Sequence, residues 1–199
     1  YKGEHPVNWC PRCETAIAEA EVEYVHSEGT LIDIRFPTDR GELVVATSRP
    51  EFVPACVALA VNPADTRYTE FVGGEASVPV VNRRVPILRD ELVDAHFGSG
   101  VVMICTFGDK TDVRWQHKYN LPVVKILDVQ GRLTEEAGKY AGLTVPEARE
   151  AIIADLRKAS QIGGSKPLSR EIGTCWRCGT PVEILSAPQW FMKTKDMTD

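Results

Sequence analysis

Cys10-Pro11-Arg12-Cys13 near the start of the chain and Cys175-Trp176-Arg177-Cys178 near its end are the stretches that decide its organisation. Two cysteines separated by two residues can turn both sulfurs toward one metal ion, and two such pairs complete a tetrahedral four-cysteine site. The spacing therefore predicts a structural zinc site that clamps the two chain ends together. Four thiolates leave no open coordination position, so this metal is not expected to be catalytic. The predicted ligands are Cys10, Cys13, Cys175 and Cys178.

Other interpretations of the cysteines are weaker. Two disulfides are typical of secreted proteins, but the six cysteines are accompanied by neither a signal peptide nor an Asn-x-Ser/Thr sequence. A redox pair would follow a strand and open a helix, whereas turn-forming residues such as Pro11 and Gly179 adjoin both pairs. Cys56 and Cys105 lie in apolar runs, and we interpret both as core residues.

Composition and chain length restrict the class of protein. The 199 residues suffice for one sizeable core and a small appendage, and no apolar run approaches the length of a membrane span. A net charge of −5 argues against a nucleic-acid-binding surface that covers the whole protein. Local basic clusters are still compatible with nucleic-acid binding through one face. Because the sequence begins with Tyr1 and its ends are expected to meet, we expect a piece inserted into a longer chain. We also expect a cytoplasmic monomer with no membrane partner.

The hydrophobic pattern predicts a β-rich α/β fold. Short strands with interspersed helices favour a β-barrel-like domain flanked by helices, with a zinc-ribbon-like module formed by the two chain ends. We expect residues 1–24 and 170–199 to form this module and the junctions to a larger protein, and residues 25–169 to form the central domain.

Several elements are predicted individually. Residues 18–26 and 30–36 have the pattern of two strands around a hairpin turn at Ser27-Glu28-Gly29. Thr144 and Glu147 form a capping box, and apolar residues then recur at helical spacing to residue 160. Gly163-Gly164-Ser165 has the composition of a flexible joint. Further strands are expected at residues 42–47, 56–61 and 100–106.

A first stretch with candidate chemistry follows the predicted strand 42–47. The hydroxyl groups of Thr47 and Ser48 and the guanidinium group of Arg49 suit a polar ligand or a positioned water. The alternative is a strand-to-helix turn in which one of the hydroxyl groups caps a short helix.

A second stretch follows the predicted strand 100–106. A helix from Asp109 to about residue 120 would place Asp109 at the N-cap and Asp112 in the first turn. The helix dipole and the free backbone amides there favour ionised carboxylates, which suit an ammonium group or an activated water. Plain helix capping is the alternative.

Both stretches resemble sequence elements of one known family. Thr47-Ser48-Arg49-Pro50-Glu51 is similar to the T-T-R-P-E element of valyl-tRNA synthetase editing domains, and residues 98–112 resemble the archaeal-type version of their second element. Residues 8–13 and 187–191 extend the resemblance to both ends of the chain. It implies the connective-peptide insertion of a class I aminoacyl-tRNA synthetase. No H-I-G-H or K-M-S-K-S signature occurs, so these residues are not expected to carry out aminoacylation.

The resemblance implies a function, hydrolysis of the ester bond of Thr-tRNA(Val) after transfer. A hydrophobic synthetic site cannot strongly reject threonine, which is nearly isosteric with valine, so a second site has to hydrolyse the error. The implied partners are the 3′ CCA end of a tRNA that carries a misattached amino acid and the catalytic core of the parent synthetase. No catalytic cofactor is implied.

The resemblance also assigns roles to individual residues. Asp112 matches the carboxylate that binds the α-ammonium group, Asp109 a carboxylate that helps to hold substrate or water, and Arg49 the arginine of the editing pocket. We expect replacement of Arg49 to leave the melting temperature nearly unchanged. The predicted substrate-binding residues are Thr47, Ser48, Glu51, Phe52, Met103, Cys105, Thr106, Lys110 and Thr111.

Because the sequence departs from the bacterial pattern, it does not identify the residue that binds the hydroxyl group of the threonine substrate. Phe52, Met103, Cys105 and Gly108 stand where the bacterial form has Thr, Lys, Thr and His. The remaining candidates are Lys110, Thr106 and Thr111.

Two alternative functions are also left open by the sequence. Glu51 favours the valyl type, but an isoleucyl-type editing domain that acts on Val-tRNA(Ile) has the same fold. A non-catalytic, zinc-stapled adapter that binds RNA is an alternative of another class.

Overall fold

The computed structural model describes residues 1–81 and 83–192, which form two sheets and two α-helices connected by short 3₁₀ segments. The strands and helices are β1 (Lys2–Cys10), β2 (Thr15–Ala16), β3 (Val22–Thr38), β4 (Gly41–Thr47), β5 (Cys56–Val61), β6 (Glu75–Val78), β7 (Arg83–Arg89), β8 (Val101–Cys105), α1 (Lys110–Tyr119), α2 (Val145–Lys158), β9 (Ile162–Cys175) and β10 (Glu183–Trp190).

The larger sheet confirms the β-barrel-like fold. Its strand order is β4-β3-β6-β7-β5-β8, and β9 pairs with β3 outside this path. The sheet curls, so that β4 and β8 approach one another across the barrel. Every residue of β5 is buried, as expected for an apolar strand covered on both faces. The curled sheet encloses a core of large side chains that include Phe36, Leu43, Leu59 and Ile104.

The long pair of β3 and β9 corrects two predictions. Ser27, Glu28 and Gly29 do not form a hairpin turn but lie inside β3, paired with residues 168–170 of β9. Residues 163–165 form no flexible joint, because they begin β9 beside Asp33 and Ile32. A continuous partner strand satisfies the backbone hydrogen bonds of both segments, and this outweighs their local preference for a turn or a loop.

The smaller sheet brings the two chain ends together. It has the order β10-β1-β2, and β1 pairs with β10 from Lys2 opposite Trp190 to Trp9 opposite Glu183. Next to it, Cys10, Ile17 and Cys175 form a separate small core. The predicted boundaries at 24/25 and 169/170 fall inside β3 and β9, which run without interruption from the central sheet to this module.

Both predicted helices are present. The helix α2 starts with the capping box of Thr144 and Glu147 and buries Ala148, Ile152 and Leu156. Asp109 caps α1, as predicted. Over the part of the chain that the structure describes, no helix combines the length and the apolar character needed to cross a membrane.

Candidate functional cleft and cysteine cluster

The two polar stretches meet in one cleft because the strands that precede them end on the same side of the curled sheet. The strand β4 ends at Thr47, and β8 ends at Cys105 shortly before α1 begins. Between them lies an open cleft of about 300 Å³. The predicted residues that line it are Thr47, Ser48, Arg49, Phe52, Met103, Cys105, Asp109, Thr111 and Asp112.

Asp109 and Asp112 form the acidic side of the cleft. Asp109 Oδ1 accepts hydrogen bonds from the backbone amides of Thr111 at 2.7 Å and Asp112 at 2.8 Å, so its role as the helix cap is established by geometry. Asp112 is only 6% exposed. Burial, with a further contribution from the charge of Asp109, raises the pKa of Asp112 to about 8, although nearby backbone amides act in the opposite direction. This shift is opposite to the one expected from the helix dipole alone.

Gly108 makes room for the Asp112 carboxylate. A Cβ atom at this position would lie 2.5 Å from Asp112 Oδ2, which is closer than any real contact of this kind. The glycine that departs from the bacterial pattern is therefore needed here for the observed position of Asp112.

Arg49 lines the cleft but is held by buried carboxylates. Its Nη2 lies 2.8 and 2.7 Å from the two carboxylate oxygens of Glu183, and its Nε donates to Glu51 at 3.1 Å. The guanidinium group also covers the ring of Phe52 at 4.1 Å. Most of its donors are used within the protein, so Arg49 forms a fixed wall of the cleft.

Glu51 stands behind this wall. Its side chain is 1% exposed and accepts two hydrogen bonds from Arg149, at 2.9 and 2.8 Å. Burial opposes ionisation, but Arg149 and Arg49 outweigh it and lower the pKa of Glu51. The structure thus places Glu51 in a buried ion network and does not place it on the cleft surface.

Thr106 and Lys110 also lie outside the cleft. The hydroxyl group of Thr106 donates to the carbonyl of Pro122 at 3.2 Å and accepts from the amide of Val124 at 3.1 Å, which fixes the following loop. Lys110 is exposed and forms an ion pair with Glu19. Of the three candidates for the threonine hydroxyl group, only Thr111 lines the cleft.

Several residues of this region are not marked by any motif in the sequence. The apolar wall of the cleft is completed by Leu31, Ala46, Leu92, Phe97, Val102 and Trp115. Glu183 and Arg149 support Arg49 and Glu51 from distant parts of the chain, and no local pattern marks either of them. The one general indication is that a buried arginine needs a carboxylate partner somewhere in the fold.

The four cysteines of the two pairs come together, as predicted. Their sulfur atoms all lie within 4.8 Å of one another. Cys178 Sγ lies 3.5 Å from Cys10 Sγ and 3.6 Å from Cys13 Sγ. Four sulfurs at about 2.3 Å from one zinc ion would be separated by about 3.8 Å, so the cluster fits a tetrahedral metal. Contacts with Thr180 lower the pKa of Cys178 to about 6, whereas the hydrogen bonds with Cys178 and Cys10 raise the pKa of Cys13 to about 12.

The curled sheet, the cleft at the strand ends and the cysteine cluster define a class of protein, a β-barrel-like domain with joined ends that carries a polar binding cleft. A family model described as tRNA synthetases class I (I, L, M and V) matches residues 1–199. The chain therefore belongs to the class I tRNA synthetase family.

Similar proteins agree with this family. Valine–tRNA ligase from Methanosarcina mazei is 54% identical over 193 residues, which cover 97% of this chain and 22% of the relative. Valine–tRNA ligase from Methanocaldococcus jannaschii is 50% identical over 199 residues, with 99% and 23% covered. The chain thus spans less than a quarter of the length of these relatives.

A solved structure supports the fold. The ternary complex of Agrobacterium radiobacter K84 agnB2 LeuRS with tRNA and LeuAMS matches with a TM-score of 0.53 and 17% sequence identity. The match covers 91% of this chain and 34% of the other.

Proposed function

We propose that this chain hydrolyses the ester bond of Thr-tRNA(Val), as the inserted editing domain of a valine–tRNA ligase. The observation that carries the proposal is the single cleft in which Asp109, Thr111 and Asp112 face Thr47 and Ser48. A cleft of about 300 Å³ is at the small end of the size of ligand sites, which suits an amino acid and part of a nucleoside.

Asp112 is the proposed anchor for the α-ammonium group of the misattached amino acid. Burial raises the pKa of its carboxyl group, and an ammonium group beside it would stabilise the ionised form. Binding of the substrate then releases a proton from Asp112 at neutral pH. Asp109, which holds the first turn of α1, positions this carboxylate and the neighbouring Thr111.

Thr111 is the proposed partner of the threonine hydroxyl group. It is the candidate that lines the cleft, while apolar side chains such as Met103 and Trp115 surround the same space. A valine in this position would leave the hydroxyl group of Thr111 without its partner, which disfavours the cognate amino acid.

The hydrolytic step is proposed to use a water held near Thr47 and Ser48. This water attacks the ester carbonyl carbon, the bond to the ribose oxygen breaks, and the products are free threonine and the tRNA with its hydroxyl group restored. The rate would come from positioning and from the preorganised polar walls of the cleft. No metal is proposed in this step.

We further propose that Cys10, Cys13, Cys175 and Cys178 hold one structural zinc ion. The support is the sulfur cluster, whose spacing fits a tetrahedral ion. Bound zinc would cross-link the two chain ends. We also propose that the chain is a cytoplasmic monomer. Residues 1–24 and 170–199 would form the module of the chain ends, and residues 25–169 the central domain.

A deacylation assay of this chain on three substrates tests the proposal. Thr-tRNA(Val) should be hydrolysed in preference to Val-tRNA(Val) and Val-tRNA(Ile), and Asp112→Asn should abolish the activity. Preferential hydrolysis of Val-tRNA(Ile) would establish the isoleucyl alternative, which the roughly 50% identity to valine–tRNA ligases disfavours. Binding of tRNA without any turnover would favour the RNA-binding adapter.

A further inference from the structure

A second cleft adjoins the first and shares part of its wall. It has a volume of about 590 Å³, and Ser48, Arg49, Gly108 and Asp109 line both clefts. Residues of β3 and β9, together with the starts of α1 and α2, form its other walls. A ligand seated in the first cleft can therefore extend into the second past Ser48.

The guanidinium groups around Ser48 outnumber the carboxylates that balance them. Arg49 and Arg149 share the carboxylates of Glu51 and Glu183. Arg170 has no ion pair among residues 1–81 and 83–192. The network around Ser48 thus holds three guanidinium groups, which are partly exposed, and the two buried carboxylates of Glu51 and Glu183.

Arg170 also has an unsatisfied donor. Its Nη1 donates to the hydroxyl group of Ser48 at 2.8 Å, but its Nε is buried and has no hydrogen-bond partner in the described part of the chain. Burial, together with the charges of Arg49 and Arg149, lowers the pKa of Arg170. A buried donor without a partner destabilises the folded state, and more so on a charged group.

The surroundings of Arg170 restrict the ligand that could satisfy it. Arg170 faces inward on β9, opposite Ser27, while the neighbouring Ser169 and Glu171 are exposed. Gly29 lies beside its Nε without a side chain, since even a Cβ there would remain 3.9 Å away. The exposed carboxylates of Glu28, Asp109, Glu150 and Glu171 also line this cleft, so an anionic group is favoured only near Arg170.

We propose that Arg170 and Ser48 bind a backbone phosphodiester of single-stranded RNA whose 3′-terminal nucleoside lies in the first cleft. The guanidinium group presents its Nη donors beside the Ser48 hydroxyl group, and a phosphate there would balance the charge of Arg170. The inference rests on the proposed function and extends it, since it assigns a phosphate subsite to the same substrate.

Salt-dependent binding of the trinucleotide CCA and of adenosine tests this subsite. Adenosine has no phosphate, so Arg170→Met should leave the salt dependence of its binding unchanged. Binding of CCA should fall roughly tenfold, because a hydrogen bond to a charged group is lost. The slope of log K against log salt should decrease by about 0.7, the value for one phosphate contact of a single strand.

Two further variants keep the test decisive. Arg35→Met removes an exposed arginine that lines neither cleft, and it should leave the slope for CCA unchanged. Arg170→Lys keeps the charge and should keep the slope, with weaker binding because the fork is lost. A lysine variant that loses the slope as the methionine variant does would overturn the proposal.

The outcomes separate this inference from the proposed function. An unchanged slope in a folded Arg170→Met variant would overturn the subsite, even if the chain deacylates Thr-tRNA(Val). The expected loss of slope in a chain that deacylates none of the three substrates would support the subsite while the editing function fails.

Discussion

Replacement of Asp112 by asparagine should make this chain more stable at neutral and alkaline pH. Burial raises the pKa of Asp112 from an ordinary 3.8 to about 8 in the folded chain. Between these values the folded state holds a proton that the unfolded state has released, so the unfolding free energy falls as pH rises from about 4 to about 8. At about 1.4 kcal/mol per pH unit, the loss from this group reaches about 4 kcal/mol at pH 7. Asparagine does not titrate and avoids this loss.

Urea denaturation at pH 5, 7 and 9 measures the effect. The stability difference between Asp112→Asn and the wild type should grow by about 4 kcal/mol over this range. The change with pH is the decisive quantity, because altered hydrogen bonds of the amide shift all three values alike. Parallel pH curves for the two proteins would show that Asp112 has an ordinary pKa and would refute the reasoning.

Asp90→Asn is a matched control with the opposite sign. Asp90 is 2% exposed, and although burial opposes its ionisation, Lys118 and Tyr119 hold its pKa well below the usual range. Its contribution is therefore constant above pH 5 and is lost only in acid. The stability difference for Asp90→Asn should not change between pH 5 and pH 9.

The activity of the same variant gives the second half of the prediction. Asp112→Asn should lose deacylation of Thr-tRNA(Val), because an amide cannot balance the ammonium group. In the wild type, kcat/KM should rise about tenfold per pH unit up to about pH 8, once the uncatalysed hydrolysis is subtracted. A flat profile below pH 8 would mean that ionisation of Asp112 is not required.

Three further perturbations test the supporting structure. Arg49→Met should destabilise the chain by about 3–5 kcal/mol in urea denaturation, because the buried carboxylate of Glu183 loses its ion-pair partner and Glu51 keeps only Arg149. Arg35→Met should cost less than about 0.5 kcal/mol, and equal costs would contradict the buried network. Gly108→Ala should displace the Asp112 carboxylate, so kcat/KM for Thr-tRNA(Val) should fall by more than tenfold, and unchanged kinetics would show that the site tolerates a Cβ there. Cys175→Ser should reduce bound zinc from about one equivalent to none by elemental analysis and raise amide exchange in β1 and β10. In that variant deacylation should fall less than in Asp112→Asn, and full protection of both strands without metal would refute the clamp.

The structure changes what is expected of Arg49. From the sequence, Arg49 was one of three polar groups after a strand, so its loss was expected to leave the melting temperature nearly unchanged. The carboxylate that holds it belongs to Glu183, more than one hundred residues away. Such a partner cannot be read from local spacing, because it depends on how β10 packs against the turn after β4.

Features with a local physical cause were predictable. The capped helices follow from hydrogen bonds within one turn, as Asp109 and Thr144 show. The buried strand β5 follows from its continuous apolar run. The long β3–β9 pair was not predictable, because a turn-like composition at Ser27-Glu28-Gly29 is a weak local preference and the partner strand lies far away in the sequence. The raised pKa of Asp112 could not be predicted from the sequence either, because it depends on how deeply the carboxyl group is buried.

The chain ends and the cleft are connected by the ion pair of Glu183 and Arg49. A cleft with a buried carboxyl group and a surplus guanidinium group costs stability, so the rest of the domain has to hold it in place. Glu183 begins β10 shortly after Cys178, and its carboxylate fixes Arg49 in the cleft wall. Closure of the chain ends by β1, β10 and the cysteine cluster therefore also fixes one wall of the proposed site. A displacement of β10 would therefore reach the cleft through the ion pair of Glu183 and Arg49.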